Sequence, residues 1–228
     1  MIYKITLKQK TETVGDISAN ALLGAFLTAV SDMEEITEDY VDSLVFSDLF
    51  PKDVRPIGVK NNHTVYSGNK KKRYMVTRTM ISRAFDGNNN PVILPAWMTE
   101  EAEFFLSTNY SKEDLEMIIP KMLLFGLGKF RNVGKGQFEL LSIEEHVFPV
   151  TNNGIALSCF QGAEDLSDDD VLETGYYIRH AMTTSGMKQP PVCLILTGTK
   201  FTFGNKIIGR HFYDAKSNTY VHGKAIIA

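Results

Sequence analysis

The segment Gly126-Leu-Gly-Lys-Phe-Arg-Asn-Val-Gly-Lys-Gly136 combines four glycines with three cations and contains no acidic residue. An amphipathic helix is predicted before it, and the alternation of Gln137-Phe138-Glu139-Leu140 predicts a strand after it. Glycine permits backbone conformations that a Cβ atom forbids, so backbone N–H groups and positive charge can come close to a polyanion. The sequence therefore predicts a polyanion-contacting loop between a helix and a strand.

This order of elements argues against two common glycine-rich phosphate loops. A Walker loop runs from strand to helix and needs Gly, four residues, and then Gly-Lys-Ser/Thr. Here five residues separate Gly128 from Gly134, and Lys135 is followed by Gly136, so no hydroxyl group stands at the magnesium-ligand position. A dinucleotide fingerprint would need glycine where Arg131 stands. A solvated turn at a helix end is the alternative interpretation of the loop.

Composition limits the class of protein. A chain of 228 residues, 43% of them hydrophobic, is long enough for one large domain or two small ones. No apolar run approaches the roughly 20 residues of a membrane span, and the alternating N-terminus lacks the apolar centre of a signal peptide. Because Cys159 and Cys193 are far apart, we expect reduced thiols in a cytoplasmic protein, with no metal site and no cofactor.

The net charge of −3 conceals a segregation of charge along the chain. Residues 60–83 carry seven basic side chains and no acidic one, whereas residues 31–48 carry seven acidic side chains and no basic one. Nucleic-acid binding depends on the local field over one face, so the net charge does not exclude it. The basic run is also typical of a solvated loop, and the acidic run of a solvated helix face or of a surface for a basic partner.

Hydrophobic patterning predicts an α+β order of elements. Residues 2–9 alternate like a strand whose odd-numbered side faces the core, and a helix capped by Asp16 or Ser18 follows. Further helices are expected at 34–42, from Ser111 with a kink at Pro120 and an end at Gly126, and around 168–180. The other extended segments are expected at 44–51, 62–66, 73–80, 137–143, 155–160, 192–197, 200–203, 206–212 and 219–227.

Two segments of this pattern decide how the first half is interpreted. Residues 62–66 and 73–80 are expected to pair as a hairpin around Ser67-Gly-Asn69. Residues 102–108 fit either a helix or a buried strand. The first half then matches a ferredoxin-like (RRM-like) βαββαβ unit with a long insertion. Such a fold commonly presents a sheet face or loops to RNA, although fold alone does not define function.

We therefore expect two domains. The first spans residues 1–143, with a basic insertion at 52–95 and the glycine-rich loop at 126–136. The second spans residues 144–228 and is smaller and mostly β.

Six motifs follow one another along most of the chain, and their order is more informative than any one of them. They are Asn20-Ala-Leu-Leu-Gly-Ala-Phe26, Phe46-Ser-Asp-Leu-Phe-Pro51, Arg78-Thr-Met-Ile-Ser-Arg-Ala-Phe-Asp-Gly87, Ala102-Glu-Phe-Phe-Leu106 with the Ser111 helix, the glycine loop Gly126–Phe138, and Tyr220-Val-His-Gly-Lys-Ala225. Together they resemble the RAMP superfamily of CRISPR-associated proteins. The resemblance is strongest to the subunit that holds the 5′ tag of the guide RNA (crRNA) in type III, Csm-type, effector complexes.

The resemblance implies a non-catalytic, cytoplasmic RNA-binding subunit of an antiviral defence complex. Its partners would be crRNA, the large subunit and the backbone RAMP subunit, with no membrane partner. It would nucleate assembly of the complex at the crRNA tag. Because the chain is short for this subunit, the resemblance also implies that residues 144–228 are a second, degenerate ferredoxin-like half.

The resemblance further implies that the loop and the basic insertion bind the tag. The candidate RNA-binding residues are Gly126, Gly128, Lys129, Arg131, Asn132, Gly134, Lys135 and Gly136 of the loop, and Arg73, Arg78 and Arg83 of the insertion. The glycines would let backbone N–H groups reach phosphate oxygens, the cations would neutralise phosphates, and Asn132 would read a base edge. For Arg78 and Arg83, surface salt bridges to residues such as Asp86 are the alternative role.

Aromatic residues near these cations are candidates for base stacking. They are Tyr66, Tyr74 and Phe85, for each of which packing is the alternative role.

Two other functions stay open on the sequence. The first is a metal-independent RAMP endoribonuclease that processes crRNA precursors, with His63 of the basic insertion as general acid or base. Asp168-Asp-Asp170 is interpreted as a solvated helix N-terminus rather than a metal site. The second is a protein-only adaptor whose working surface is the acidic run at 31–48.

Overall fold

The structure, a computed structural model, describes residues 1–68, 72–81, 89–129, 131, 134–162, 166–179, 192–214 and 219–228. It describes the backbone but not the side chains of residues 72–81 and 89–95, Arg179 and Asp214. Within the described ranges the helices are α1 (Ala19–Val30), α2 (Glu38–Asp42) and α3 (Lys112–Leu123). The first ten strands are β1 (Ile2–Gln9), β2 (Thr13–Val14), β3 (Val45–Phe46), β4 (Phe50–Pro51), β5 (Pro56–Lys60), β6 (His63–Tyr66), β7 (Lys72–Ile81), β8 (Asn89–Met98), β9 (Glu101–Ser107) and β10 (Phe138–Glu145).

Nine shorter strands follow in the described part of the second half. They are β11 (Gly154–Ile155), β12 (Val171–Glu173), β13 (Tyr176–Arg179), β14 (Val192–Ile195), β15 (Lys200–Phe201), β16 (Lys206–Gly209), β17 (Phe212–Asp214), β18 (Thr219–Val221) and β19 (Lys224–Ile227).

The main sheet has the strand order of a ferredoxin-like unit. It runs β10-β1-β9-β3, with β4 also paired to β9, and every pair is antiparallel. Because α1 follows β1 and α3 follows β9, the chain has the βαββαβ order that the sequence predicts. The predicted α+β, ferredoxin-like class is therefore confirmed, and residues 102–108 are resolved as a strand.

One face of this sheet packs against α1 and α3. The alternation of β1 buries Tyr3, Ile5 and Leu7, as expected, and β9 adds Phe104 and Leu106 to the same cluster. The apolar stripes of both helices complete this core. Burial of such side chains is the main force that stabilises the unit.

The helix that precedes the glycine loop is capped at both ends. The Ser111 side chain accepts a hydrogen bond from the Asp114 backbone N–H, and the Asp114 carboxylate accepts one from the Ser111 N–H, so the predicted capping box is present. At the other end the Gly126 N–H donates to the Leu123 carbonyl at 3.0 Å, with Gly126 at φ 72°. A left-handed residue here ends the helix, as predicted.

The opposite face of the sheet is covered. Phe105 packs against Phe148, with ring centroids 4.8 Å apart, and the Arg55 guanidinium lies 4.9 Å from the Phe105 ring centre. Arg55 also pairs with the buried Glu103 carboxylate at 2.6 Å. Residues of the second half complete this cluster. The sheet therefore does not offer Phe105 as an open stacking surface for RNA.

The insertion contains two hairpins that differ from the predicted one. The sequence predicts that residues 62–66 pair with 73–80, but β6 pairs with β5 and β7 pairs with β8, so that prediction is wrong. Asn61 and Asn62 take φ values of 50° and 59°, which permit a two-residue turn between β5 and β6. This turn, rather than Ser67-Gly-Asn69, decides the pairing of β6.

Short antiparallel pairs dominate the second half. Its described sheets are β11-β15-β12, β13-β14, β16-β19 and β17-β18. The helix predicted around 168–180 is wrong, because a single 3-10 turn at Asp168–Asp170 is followed by β12 and β13. Ser167 and Asp170 cap that one turn, and the β-branched and aromatic residues after it favour strands. A degenerate ferredoxin-like second half stays a prediction.

No helix in the described part of the chain is both long and apolar enough to span a membrane.

Candidate nucleic-acid interface

The glycine-rich loop is closed at a narrow neck. The Leu127 N–H donates to the Gly136 carbonyl at 2.8 Å, and Gly136 takes a φ of 65°. A Cβ atom on Gly136 would lie 1.9 Å from the Leu127 carbonyl oxygen. The neck therefore requires glycine at position 136, both for its left-handed backbone and for the close approach of Leu127.

The loop is also fastened to the segment that follows β1. The Thr11 hydroxyl donates to the Gly134 carbonyl at 2.9 Å, and the Gly136 N–H donates to the Glu12 carbonyl at 2.9 Å. The Lys135 ammonium pairs with the Glu12 carboxylate, and this hydrogen bond lowers the pKa of Glu12 below its usual value. Lys135 thus has a partner within the chain, and its charge helps to hold the loop in place.

The short strand β2 joins the loop to the basic hairpin. Val14 of β2 forms a bridge to Lys129 on one side and pairs with Ala96 of β8 on the other. Ala96 pairs in turn with Tyr74 of β7. Adjacent strands lie about 4.8 Å apart, so the backbones of Lys129 and Tyr74 are about 14 Å apart across three steps. One continuous row of paired backbone therefore runs from the loop to β7.

A buried glutamine holds this row together. The Gln9 side-chain amide donates to the Thr11 carbonyl, the Thr13 hydroxyl and the Trp97 carbonyl at 2.9 to 3.1 Å. Its carbonyl oxygen accepts the Thr99 N–H at 2.9 Å. Gln9 thereby ties β1 to both β2 and the end of β8. Sequence patterns do not reveal this role, because the partners at 97 and 99 are distant along the chain.

The cations of the loop fall into two groups. Lys129 and Arg131 are exposed, and neither takes part in an ion pair with another described residue. Lys135 is half-buried and bound to Glu12. Two of the three predicted loop cations are therefore available to an external anion.

The loop glycines shape the backbone. The N–H groups of Gly126, Gly134 and Gly136 donate to carbonyl groups inside the chain. Gly128, at φ 85°, packs beside Ile17, and a Cβ atom there would lie 3.3 Å from the Ile17 side chain. In this conformation the N–H groups of three of the four glycines already bind carbonyl groups of the chain, so they do not point to an external phosphate. The exposed positive charges of the loop are those of Lys129 and Arg131.

Two of the remaining predicted site residues, Arg73 and Arg78, lie on β7. Arg73 pairs in register with Trp97, and Arg78 with Val92, so the backbone of both is part of the β7–β8 hairpin. Arg83 and Asn132 lie outside the described residues. The stacking candidates divide similarly, with Tyr74 described in its backbone only and Phe85 outside the described residues.

Tyr66 occupies a different part of the structure. Its ring packs 6.3 Å from Phe50, and burial together with the carboxylates of Asp48 and Asp16 raises the pKa of its phenol. Tyr66 is nevertheless 40% exposed, so the contact with Phe50 leaves part of the residue uncovered, and its role in base stacking stays a prediction.

Three of the motifs that carried the resemblance have structural roles. The Asp48 carboxylate accepts a hydrogen bond from the Ala19 N–H at 2.8 Å, and so caps α1 in place of the Ser18 side chain. Its other oxygen accepts the Thr197 hydroxyl at 2.6 Å. The Asn20 side chain accepts the His222 N–H at 2.9 Å. These motifs join α1 to the second half.

The histidine proposed for catalysis lies in the β5–β6 hairpin. His63 is exposed, and its neighbour Asn62 forms two hydrogen bonds to the backbone of Tyr176, at 2.7 and 2.8 Å. These bonds fasten the turn beside β13. Within the described residues, no three His, Cys, Asp or Glu side chains are grouped to hold a metal ion.

The acidic residues of the run at 31–48 lie on a solvated surface, except Asp48, which binds the Ala19 N–H and the Thr197 hydroxyl. Asp32, Glu35 and Asp39 are exposed, and α2 begins at Glu38 with Thr37 as its cap. The helix expected at 34–42 is therefore shorter than predicted, and Asp32 and Glu35 precede it.

The fold and the position of the loop define the class of protein. It is an α+β protein with a ferredoxin-like unit, a long insertion before the third strand, and a glycine-rich loop between the second helix and the last strand of that unit. This is the architecture that the RAMP resemblance predicts.

Solved structures with the same fold come from type III CRISPR-Cas complexes. A chain of the Csm3–Csm4 subcomplex in the type III-A CRISPR-Cas interference complex matches 100% of this chain and 98% of its own length, with a TM-score of 0.63 and 12% identity. A chain of the Csm1–Csm4 cassette in complex with cA4 matches 99% and 96%, with a TM-score of 0.56 and 14% identity. No family model and no curated protein matches the sequence. The chain thus has the fold of Csm-type subunits, and the predicted RAMP fold is confirmed.

Proposed function

We propose that this chain is a non-catalytic RNA-binding subunit of a type III CRISPR effector complex, which holds the 5′ tag of the crRNA and nucleates assembly. The observation that carries the proposal is the pairing of β2 with both Lys129 and β8. This pairing links the backbone of Lys129 through β2 to the hairpin that carries Arg73 and Arg78, and Arg131 follows two residues further along the loop. The likeness in fold to chains of Csm subcomplexes supports the same function.

Charge neutralisation is the main source of binding in this proposal. Lys129 and Arg131 contact phosphate oxygens, while the Lys135–Glu12 pair keeps the loop in the shape that presents them. The arginines of the insertion, with Asn132, contact neighbouring nucleotides. The other partners are the large subunit and the backbone RAMP subunit of the complex.

Salt-dependent binding of single-stranded RNA tests the proposal. The chain is titrated with RNA that carries the repeat-derived 5′ tag of the host array, at several salt concentrations, and compared with the variant Lys129→Ala/Arg131→Ala. Each phosphate contact on a single strand contributes about 0.7 to the slope of log affinity against log salt. We expect the double variant to bind more weakly and to lose about 1.4 from that slope.

A matched control removes two cations elsewhere. Lys112 and Lys206 are exposed, at the start of α3 and on β16, so Lys112→Ala/Lys206→Ala makes the same change in net charge. This control is expected to keep the affinity and the salt slope of the native chain. Equal behaviour of the two double variants would overturn the role of the loop, and cleavage of the RNA by the native chain would overturn the non-catalytic assignment.

A further inference from the structure

Phe125 is an exposed aromatic residue at the entrance to the glycine-rich loop. Its side chain is 69% exposed, the largest value for an aromatic residue in the described part of the chain. It lies between the end of α3 and the turn at Gly126, and it takes part in no ring contact with another described residue. A large apolar ring left in water at this position suggests a ligand with a flat surface.

The charges around Phe125 favour a polyanion as that ligand. Lys129 is four residues away, so its Cα atom lies within about 14 Å of the Phe125 Cα atom. Arg131 and Lys121 are exposed on the two sides of Phe125 along the chain. Sites for single-stranded nucleic acid combine such cations with aromatic rings on which bases stack.

The covered sheet strengthens this argument. RNA-binding ferredoxin-like domains commonly stack bases on aromatic residues of the open sheet face. Here Phe105, on that face, is 1% exposed and lies beneath Arg55 and Phe148. Phe105 is therefore not accessible as such a stacking surface, whereas the exposed Phe125 stands next to the loop neck in the chain.

We propose that Phe125 stacks on an unpaired base of the bound RNA, while Lys129 and Arg131 contact phosphates of adjacent nucleotides. The inference rests on the proposed RNA-binding function and adds an aromatic residue to the cations of that site. Stacking is not ionic, so it adds affinity without adding to the salt slope.

Three substitutions of Phe125 separate stacking from simple apolar contact. With the same tagged RNA, Phe125→Ala and Phe125→Leu are expected to bind about tenfold more weakly, with an unchanged salt slope. Phe125→Trp keeps a stacking surface and is expected to bind at least as well as the native chain. Leu124→Ala, which changes the equally exposed neighbouring residue, is the control and should bind like the native chain.

Single abasic nucleotides locate the stacked base. Removal of that base should weaken binding by the native chain but leave the affinity of Phe125→Ala unchanged, because the two changes remove the same contact. If the native chain binds RNA and Phe125→Ala binds equally well, the inference fails while the proposed function stands. If the native chain shows no salt-sensitive RNA binding, the proposed function fails.

A protein partner on this surface gives a different result. In that case Phe125→Leu and the native chain would bind RNA alike, and Phe125→Ala and Leu124→Ala would both weaken assembly with the other subunits. Such an outcome would overturn the inference.

Discussion

Gly136 constrains the shape of the loop more directly than any of its cations. Its φ is 65°, and a Cβ atom added to it would lie 1.9 Å from the Leu127 carbonyl oxygen, so there is no room for a side chain. Gly134 also has a positive φ, of 81°, but a Cβ atom there would meet nothing within 4 Å. The two glycines therefore separate the cost of backbone strain from the cost of a steric clash.

Alanine substitution at these two positions tests the neck of the loop. Gly134→Ala should lower the free energy of unfolding by about 1 kcal/mol, the cost of a left-handed alanine. Gly136→Ala should lower it by about 3 kcal/mol, because strain and clash add together. Urea unfolding of both variants and the native chain measures the difference. Equal losses would show that the neck does not have the described geometry.

At the scale of single residues, the sequence identifies the loop but does not show which of its cations pairs with an acidic residue of the same chain. Lys129 and Lys135 look alike in the sequence, yet of the two it is Lys135 that forms an ion pair among the described residues. Its partner, Glu12, precedes it by more than a hundred residues. The role of Gln9 is hidden for the same reason, since its hydrogen-bond partners are brought together only by the fold. Long-range pairing of polar groups leaves no periodic signal.

Elements with a strong local pattern can be predicted well. The alternation of β1 and the capping box of α3 depend on neighbouring residues, and both are present as expected. The strand β2 has two residues, Thr13 and Val14, and is too short to produce a pattern of its own. It nevertheless connects the loop to the basic hairpin, so periodicity does not detect the most informative element of the site.

The wrong element predictions have local causes. The hairpin around residue 67 competes with the Asn61-Asn62 turn, whose left-handed residues give β5 and β6 a tighter connection. The helix expected around 168–180 relies on acidic residues at its start. Those residues form one capped turn, and the following Tyr176 and Tyr177 belong to a strand.

At the scale of the whole molecule, a pair of histidines joins the two halves. The buried His222 ring accepts a hydrogen bond from the Phe46 N–H at 3.0 Å. The neutral His211 ring donates its Nε2–H to the Leu44 carbonyl at 2.8 Å and accepts the Gly223 N–H at its Nδ1 atom. Burial lowers the pKa of both rings, and for His222 the electrostatic effects of His211 and Lys224 lower it further.

Mild acid should lower the stability of the folded chain, because these histidines take up protons more readily in the unfolded chain than in the buried junction. Their pKa values in the folded chain lie below the ordinary value of about 6.5, so the stabilisation is complete above that pH and is lost as the pH falls below it. The half-buried His146, whose pKa burial also lowers, contributes in the same window. Each such histidine reduces the free energy of unfolding by up to about 1.4 kcal/mol per pH unit.

Urea unfolding at about pH 7.5 and about pH 5.5 measures this effect. His222→Gln removes one titrating group and should reduce the difference in stability between the two conditions. A native chain of equal stability at both pH values would contradict the lowered pKa values of these histidines.

The central claim is that residues 125–136 contact guide RNA, and crosslinking tests it most directly. Guide RNA with 4-thiouridine at single tag positions is irradiated in the assembled complex, and the crosslinked peptides are identified by mass spectrometry. We predict crosslinks within residues 125–136 in the native complex and their loss in Lys129→Ala/Arg131→Ala. Crosslinks confined to other segments, with residues 125–136 recovered free of RNA, would contradict the account.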